Sequence, residues 1–407
     1  MRPPVLLGST LGWFGISLVA DGTVTLLVPH RLTSLAGDRG AATLIGTVTL
    51  IALVLAMLVQ PVAGALSDRL GRRAVIVGGV LAVAGLAVVP AASIPAVAAG
   101  GTLALVGVSV AQAGQQALIP DRVDAAGRGL AAGLKGGFDV AGATVAFLLL
   151  AWLLGDGRDG PAAASLAVGL AVALLAGLAL LRAGSPAAAP LQAPGRATRA
   201  GWSRPLARVV VARFLFLLGV YAVGRFLLLF VAERLDLGAD EAAGQAGGAL
   251  ALLALVTAVA SVPSGWLADR LGRRSMMVAG AALAAAGIGL LATAERMEAV
   301  LAFGTLMALG SAAFGAGSWA LLTDLVAPSG AGRLLGLANF GTAGAAAAAG
   351  LAGPIIDAGE RVAPGLGFTL ALGAAAAASL AGGLLVLGMR AGAAPDAVGD
   401  RLSSEAA

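Results

Sequence analysis

The decapeptide GALSDRLGRR at residues 64–73 recurs almost unchanged as GWLADRLGRR at residues 265–274. Both copies are strongly charged, although only 12% of this 407-residue chain is charged and 59% is hydrophobic. Soluble domains carry about 25% charged residues, so this chain lacks the side chains to cover a water-facing surface. A charged motif that occurs twice in such an apolar chain indicates a membrane protein built from two related halves.

Long runs without charged side chains alternate with short charged segments along the chain. About 20 consecutive apolar residues cross the hydrocarbon core of a bilayer as a helix. The first run shows no convincing signal-peptide cleavage site, so we expect it to remain as a helix. The fold class is therefore predicted to be an all-α membrane protein with twelve transmembrane helices, at residues 8–30, 41–66, 74–92, 96–119, 129–153, 161–181, 208–232, 243–267, 275–294, 299–323, 334–356 and 364–388.

The placement of arginine predicts how these helices are oriented in the membrane. With the N-terminus in the cytoplasm, the inside segments hold 17 arginines and the outside segments hold six. Positively charged loops stay on the cytoplasmic side, so we expect both termini and both decapeptides to face the cytoplasm. The net charge of +5 then reflects topology and does not indicate a nucleic-acid partner.

Sequence similarity between the halves extends beyond the decapeptide. At an offset of 203 residues, HRL at 30–32 matches ERL at 233–235, and ALIPD at 117–121 matches ALLTD at 320–324. Two halves of the same polarity are parallel repeats, related by an axis along the membrane normal. The predicted domains are an N-terminal six-helix bundle at 1–181, a cytoplasmic linker at 182–207, a C-terminal six-helix bundle at 208–389 and a cytoplasmic tail at 390–407.

Composition excludes several kinds of chemistry. The chain has no cysteine, and its one histidine, His30, lies at the outer end of the first predicted helix, where we expect it at the surface. Disulfides and thiolate sites are therefore impossible, and the residues show no metal-ligand spacing and no Ser-His-Asp set. No phosphate-binding glycine loop supports ATP-driven transport. We expect neither an enzyme, nor a metal site, nor a cofactor.

The loop pattern G-x-L-[SA]-D-R-x-G-R-R, which follows the second and the eighth predicted helices, resembles the signature of the major facilitator superfamily. The division into six plus six helices and the basic central linker are similar to that family as well. The resemblance covers essentially the whole chain. It implies the fold of that family, with two pseudo-twofold-related bundles around a cavity that opens alternately to either side.

Within each decapeptide an aspartate precedes an arginine by four residues, so the two side chains could meet on one helical turn. Gly71 and Gly272 permit the sharp turn of so short a loop. The resemblance implies that these charges, with an acid at the end of the fourth and tenth helices, latch a cytoplasmic gate. The alternative is that the arginines only hold the loops inside. The predicted gate residues are Asp68, Arg72, Asp121, Asp269, Arg273 and Asp324.

Few charged side chains lie deep within the predicted helices. A charge that faces lipid at that depth costs at least about 2.5 kcal/mol, so each should face the cavity or a partner. Lys135 and Asp139 are four residues apart and could neutralise each other or contact substrate. Arg213, about one turn inside the cytoplasmic edge, is expected to extend its guanidinium to that edge.

Asp21 and Arg225 occupy nearly equivalent positions in the two repeats, because Gly22 matches Arg225 at the offset of 203. They could therefore approach each other across the pseudo-twofold axis. Intramembrane acids commonly mark ion pathways, so Asp21 is predicted to couple transport to protons. The alternative is a permanent Asp21–Arg225 ion pair that holds the two halves in register.

Uncharged polar and aromatic side chains are candidates for the cavity wall. Three glutamines of the fourth helix share one face by their spacing and are expected to face protein or cavity. Aromatic side chains near Asp21 and Arg225 could line the cavity or simply pack. The predicted substrate-cavity residues are Trp13, Gln112, Gln115, Gln116, Tyr221, Ser318 and Trp319.

These features predict a proton-coupled secondary transporter of a small organic solute, with the export of an amphipathic compound favoured. Drug exporters of the family usually carry a Gly-Pro-x-x-Gly-Gly run in the fifth helix, and this chain lacks its proline, which argues against that export branch. Uptake of a sugar or metabolite is therefore the alternative. A passive facilitator or a transport-dead sensor is the alternative of another class. We expect a monomer in a bacterial cytoplasmic membrane, whose partners are the lipid bilayer, protons and a small-molecule substrate.

Overall fold

The computed structural model of the chain describes residues 3–37, 40–70, 73–123, 128–183, 203–325, 341–387 and 389. Most of the predicted linker and the whole predicted tail lie outside these ranges. The described residues form twelve helices and no strand. They are α1 Pro3–Ala36, α2 Ala41–Leu70, α3 Arg73–Val88, α4 Ile94–Arg122, α5 Arg128–Gly155, α6 Asp159–Ala183, α7 Arg204–Arg234, α8 Ala239–Leu271, α9 Arg273–Leu291, α10 Met297–Leu325, α11 from 341 to Glu360, and α12 Leu366–Leu384.

Ten helices in the described ranges are long and apolar enough to cross a membrane. The other two are α3, which has 16 residues, and α11, which is interrupted by a 3₁₀ turn at Ala349–Leu351. The predicted all-α membrane fold with twelve helices is confirmed. Most of the observed helices are longer than predicted, because charged and polar residues at their ends continue the helix beyond the apolar run. Helices α3, α9 and α12 instead end earlier than predicted. Gly272 was expected to permit the sharp turn between α8 and α9. It has a positive φ of 91°, a backbone conformation that favours glycine.

Helix α1 changes its hydrogen-bond pattern in the middle of its span. Residues Thr23–Leu27 form a turn of π-helix, two residues after Asp21. Pro29 follows this turn, and a proline has no N–H to donate to the carbonyl four residues earlier. The regular ladder of α1 is therefore interrupted on both sides of Val28, just after its one intramembrane acid. Single π-turns of this kind are frequent at functional sites.

The two halves repeat the same packing between their third and fourth helices. In the N-terminal half, a Cβ atom at Gly107 of α4 would overlap the backbone of Ala82 of α3. In the C-terminal half, Gly310 of α10 stands in the same relation to Ala284 of α9. Gly107 and Gly310 are 203 residues apart, which is the offset of the sequence repeat. Small residues let helices approach closely in a membrane, and here they give both bundles the same tight pair.

An arginine at the end of the first helix of each half repeats in the same way. Arg31 of α1 donates from Nη2 to the carbonyl oxygens of Pro90 and Ala91, beyond the end of α3. Arg234 of α7, 203 residues later, donates from Nη2 to the carbonyl oxygen of Ala292, beyond the end of α9. Carbonyls at a helix end have no partner within their helix. The arginine that HRL and ERL share therefore makes an equivalent capping contact in each half.

Candidate functional site

The two halves contact each other at one end of the molecule, which we call the outer end after the predicted orientation. Helix α5 meets α8 there, and an added methyl group at Gly247 would lie 2.8 Å from the side chain of Ala151. Helix α2 meets α11 so closely that a Cβ atom at Gly46 would overlap the carbonyl oxygen of Gly350. Glycine is required where backbones approach in this way. The outer ends of the two bundles are therefore closed against each other.

The same helices separate toward the opposite end, which we call the inner end. Gly133, Gly136 and Gly137 of α5 and Gly265 of α8 have no atom of another segment within 4 Å of an added Cβ position. Val262 of α8, at 80% exposure, lies at the same level. Because close contacts between the halves lie at the outer end and these positions have none, we infer that the bundles separate toward the inner end, and we call the gap between them the open space.

Among the described residues, two direct bonds join the halves at the outer end. The backbone N–H of Thr43 in α2 donates to Oδ2 of Asp357 in α11, with 2.7 Å between nitrogen and oxygen. Nε2 of His30 in α1 lies 3.0 Å from Oδ1 of Asp240 in α8. We call this pair of contacts the outer gate. His30 is only 1% exposed, so the prediction that it lies at the surface is wrong: the partner half covers it.

A vestibule of about 840 Å³ lies at the outer end, beside the outer gate. Its lining includes four acidic side chains and one arginine, which are Glu233, Asp236, Asp357, Glu360 and Arg361. Asp357 and Glu360 are also structural, because Asp357 bonds α2 and Glu360 accepts hydrogen bonds from backbone N–H groups at the start of α12. The outer gate therefore lies beside a wide, acidic depression.

The intramembrane charged side chains predicted in the N-terminal half lie on α1 and α5. Lys135 Nζ lies 2.8 Å from Asp139 Oδ2, which confirms the pairing predicted from their spacing. Ser17 of α1 donates to the other carboxylate oxygen, Oδ1, at 3.1 Å. The same ammonium group lies 3.8 Å from the ring centre of Trp13, in a cation–π arrangement. Both members of the pair are about one-third exposed, so the pair borders the open space.

Asp21 is partly buried and lies within electrostatic range of both Asp139 and Arg225. The structure thus brings Asp21 near Arg225 across the halves. They do not form a direct ion pair, because none of the salt bridges within 4.0 Å in the described part of the chain joins them. In this conformation the interaction between them is a long-range one, and its strength depends on whether Asp21 carries its charge.

Arg225 is deeply buried, at 4% exposure, on the opposite side of the boundary between the halves. Its Nη2 donates to the carbonyl oxygen of Ala346 in α11 at 3.3 Å. Its Nη1 has no hydrogen-bond partner among the described residues. Tyr221, one turn earlier, lies within electrostatic range of both Arg225 and Asp21. A buried guanidinium remains charged, so this incomplete bonding makes it sensitive to any negative charge that enters the space.

Arg213 bonds to α10 and does not extend to the helix end as predicted. Its Nη1 donates to Oγ of Ser318 at 2.6 Å, and its guanidinium lies 5.8 Å from the ring centre of Trp319. Ser318 is fully buried, whereas Trp319 is 45% exposed. This hydroxyl on the neighbouring helix satisfies Nη1, whereas the buried Nε has no hydrogen-bond partner among the described residues. Sequence spacing could not show that this acceptor stands opposite Arg213.

The remaining predicted cavity residues occupy different environments. Gln115 is buried and donates from Nε2 to the carbonyl oxygen of Ser9 in α1 at 3.0 Å. Gln112 is partly buried and Gln116 is exposed, so the common environment expected for the three glutamines is not found. Trp13 is 2% exposed, and its indole N–H has no partner among the described residues. Gln115 and Trp13 therefore belong to the packed interior of the N-terminal bundle in this conformation.

Most of the predicted cytoplasmic gate lies outside the described residues. This holds for residue 72 as a whole and for the side chains of Asp68, Asp121 and Asp324. Of the other two predicted gate residues, Asp269 is exposed, and Arg273 donates from Nη1 to the carbonyl oxygen of Ala320 in α10 at 3.3 Å. The bond from Arg273 joins two helices of the same half. The latch across the halves stays a prediction.

The two acids that contact His30 were not predicted as site residues from the sequence. Asp159 and Asp240 lie in the first turns of α6 and α8, in the loops that the topology prediction treats as outside. Their only sequence signal is an acid at a helix start, which usually serves the helix dipole. No three histidine, aspartate or glutamate side chains in the described ranges are placed to hold a metal ion.

Comparison with known proteins gives one family. The sequence pattern described as the Major Facilitator Superfamily matches residues 12–257 and again residues 209–405. No curated protein matches the chain.

Three solved structures are similar in fold over 95% of this chain. They are a D-xylose–proton symporter (16% identity, 97% of that chain, TM-score 0.74), a bacterial homologue of the iron transporter ferroportin in an inward-facing state (18%, 99%, 0.72) and a bacterial homologue of the human lysosomal transporter Spinster in an inward-facing, occupied conformation (17%, 95%, 0.70). At these low sequence identities, the similarity shows a shared fold and nothing more.

Proposed function

This chain belongs to the major facilitator superfamily, and on that premise we propose that it is a secondary active transporter that moves a small organic solute by alternating access, coupled to protons. The fold is that of membrane transporters. Coupling, substrate class and direction are our proposals. We place the protein in a bacterial cytoplasmic membrane, with both termini and the inner end on the cytoplasmic side, because of the arginine distribution.

One observation carries the coupling proposal, namely the position of Asp21. This acid lies in the middle of α1, beside a π-turn, and within electrostatic range of a carboxylate in its own half and a guanidinium in the other half. Binding or release of a proton at Asp21 would change the attraction between the halves at their boundary. Coupling requires that proton binding and the movement of the two halves influence each other, and a proton site at their boundary meets this requirement.

The side chains along the open space favour an amphipathic solute. Trp319 of α10 and Val262 of α8 are exposed apolar side chains toward the inner end, and Arg213 beside Trp319 and the Lys135–Asp139 pair add a few charged groups. Ligand sites are typically mostly apolar, with a small number of polar groups that fix orientation. We propose export of such a compound as the leading direction. Uptake of a sugar or metabolite is the second candidate.

A screen followed by flux measurement tests the proposal. Purified protein is first heated with sugars, amino acids, lipids and drugs, and any solute that raises the apparent Tm is selected. The protein is then reconstituted in proteoliposomes with a pH-sensitive dye inside. We expect a selected solute to move protons across the membrane and to accumulate only under an imposed pH gradient. Flux that is independent of the gradient would instead show a passive facilitator.

A further inference from the structure

His30 occupies a position that simple packing does not require. Its imidazole is buried between the halves, and both of its ring nitrogens face carboxylate oxygens. Nδ1 lies 3.0 Å from Oδ1 of Asp159, in its own half, and Nε2 lies 3.0 Å from Oδ1 of Asp240, in the other half. One side chain therefore bridges the two bodies at the outer gate.

The charged groups around His30 are few and can be named. Arg31 donates to the second oxygen of Asp159 at 2.7 Å, and Asp156 is paired with Arg158 in the same loop. On α8 the next acid is Glu241, whose carboxylate accepts from Gln245. Helices α2 and α4 also pack here, and residues 41–64 and 94–116 contain no ionisable side chain.

The bridge has a definite proton requirement. A neutral imidazole has one N–H donor and one nitrogen lone pair, whereas the protonated ring has two donors. Asp159 and Asp240 both lie in the first turn of a helix, where the helix dipole favours the charged carboxylate. With neutral His30, one lone pair would face a carboxylate oxygen at 3.0 Å. The closed gate therefore holds one proton more than an open gate in which Asp240 has moved away from a neutral ring.

We propose that His30 is a proton-binding site of the outer gate, and that the outer ends of the two halves close when it is protonated. This inference rests on the proposed alternating access, but it does not need proton coupling at Asp21. Histidine is the side chain that changes its charge near neutral pH. Acid on the outer side stabilises the closed outer gate, and alkaline pH favours its opening.

The number of protons bound by the gate limits how strongly pH can change the ratio of closed to open molecules. One proton that binds the closed gate in preference to the open gate changes the ratio of closed to open molecules by at most about tenfold per pH unit. The ratio rises as the pH falls and levels off once every bridge holds its proton. Asp240 is 58% exposed, so protons of the outer solution have access to the bridge.

Distance measurement between spin labels tests the proposal directly. The chain has no cysteine, so Ser93→Cys and Thr293→Cys give one labelled site at the outer end of each half, both at exposed positions. The doubly labelled full-length protein is reconstituted in lipid nanodiscs, and the distance distribution is recorded from pH 5.5 to pH 8.5. We expect a short-distance population that grows as the pH is lowered.

Two variants separate a proton site from a merely structural contact. In Asp240→Asn, the amide donates to the lone pair of a neutral His30, so the gate should stay closed at alkaline pH and lose its pH dependence. In His30→Gln, the ring is gone, so the distribution should not respond to pH. Glu298→Gln, an exposed acid elsewhere at the outer end, should behave like the unmodified protein.

The proposal is overturned if the distances do not change with pH, or if Asp240→Asn keeps the pH response of the unmodified protein. Failure of the proposed function has a different signature. In that case solute flux would ignore the pH gradient, while the outer labels could still respond to pH.

Discussion

Replacing Asp21 by asparagine is expected to reduce solute flux driven by an imposed pH gradient to the level of protein-free liposomes. Asparagine keeps the shape of the side chain but cannot bind or release a proton. The variant should still bind solute and should still exchange solute across the membrane when the pH is equal on both sides. The measurement is gradient-driven flux compared with equal-pH exchange in the same proteoliposome preparation.

Two controls make this result specific. Glu298→Gln removes an exposed acid from the outer surface and should transport like the unmodified chain. The apparent Tm of Asp21→Asn should not fall, because Asp21 makes no hydrogen bond or ion pair within the described part of the chain. Full gradient-driven transport by Asp21→Asn would remove Asp21 as the coupling site.

The second large effect is expected from Gly46→Ala in α2. The added methyl group would overlap the carbonyl oxygen of Gly350 in α11, and neither backbone can move aside without separating the outer ends. Overpacking of this kind costs about 1–3 kcal/mol, which corresponds to a ratio of closed to open molecules reduced by roughly 5- to 150-fold. We expect the outer labels to move apart and transport to fall in proportion.

Gly133→Ala in α5 is the matched control. It makes the same substitution inside a helix, but no atom of another segment lies within 4 Å of the added Cβ. Alanine in a helix is more favourable than glycine by about 1 kcal/mol, so both variants gain the same helix propensity. Transport should therefore survive in Gly133→Ala. Equal behaviour of the two variants would mean that the α2–α11 contact does not control the outer gate.

The sequence predicts the fold well, because the decisive signals are local. Uncharged runs mark the helices, and the repeated decapeptide shows that the halves are related. The Lys135–Asp139 pair was predictable for the same reason, since its two members lie on one turn of one helix. The match between HRL and ERL also indicated equivalent positions, because Arg31 and Arg234 make the same kind of capping contact in the two halves.

Contacts between helices were predicted less well, because they depend on how each helix is rotated about its axis. Asp21 and Arg225 were rightly expected to lie near each other, but nothing in their spacing tells a direct pair from a long-range one. Arg213 found a hydroxyl on α10 that no periodicity indicates. His30 was assigned to the surface because its partner, Asp240, is 210 residues away.

Alternating access is the central claim, and the most direct measurement follows both ends of the molecule at once. One labelled pair, Ser93→Cys with Thr293→Cys, reports on the outer ends. A second pair, Val62→Cys with Val262→Cys, lies on exposed positions toward the inner ends of α2 and α8. We predict that solute and pH change the two distances in opposite directions. If both distances shorten together, or if the inner distance never shortens, the account is contradicted.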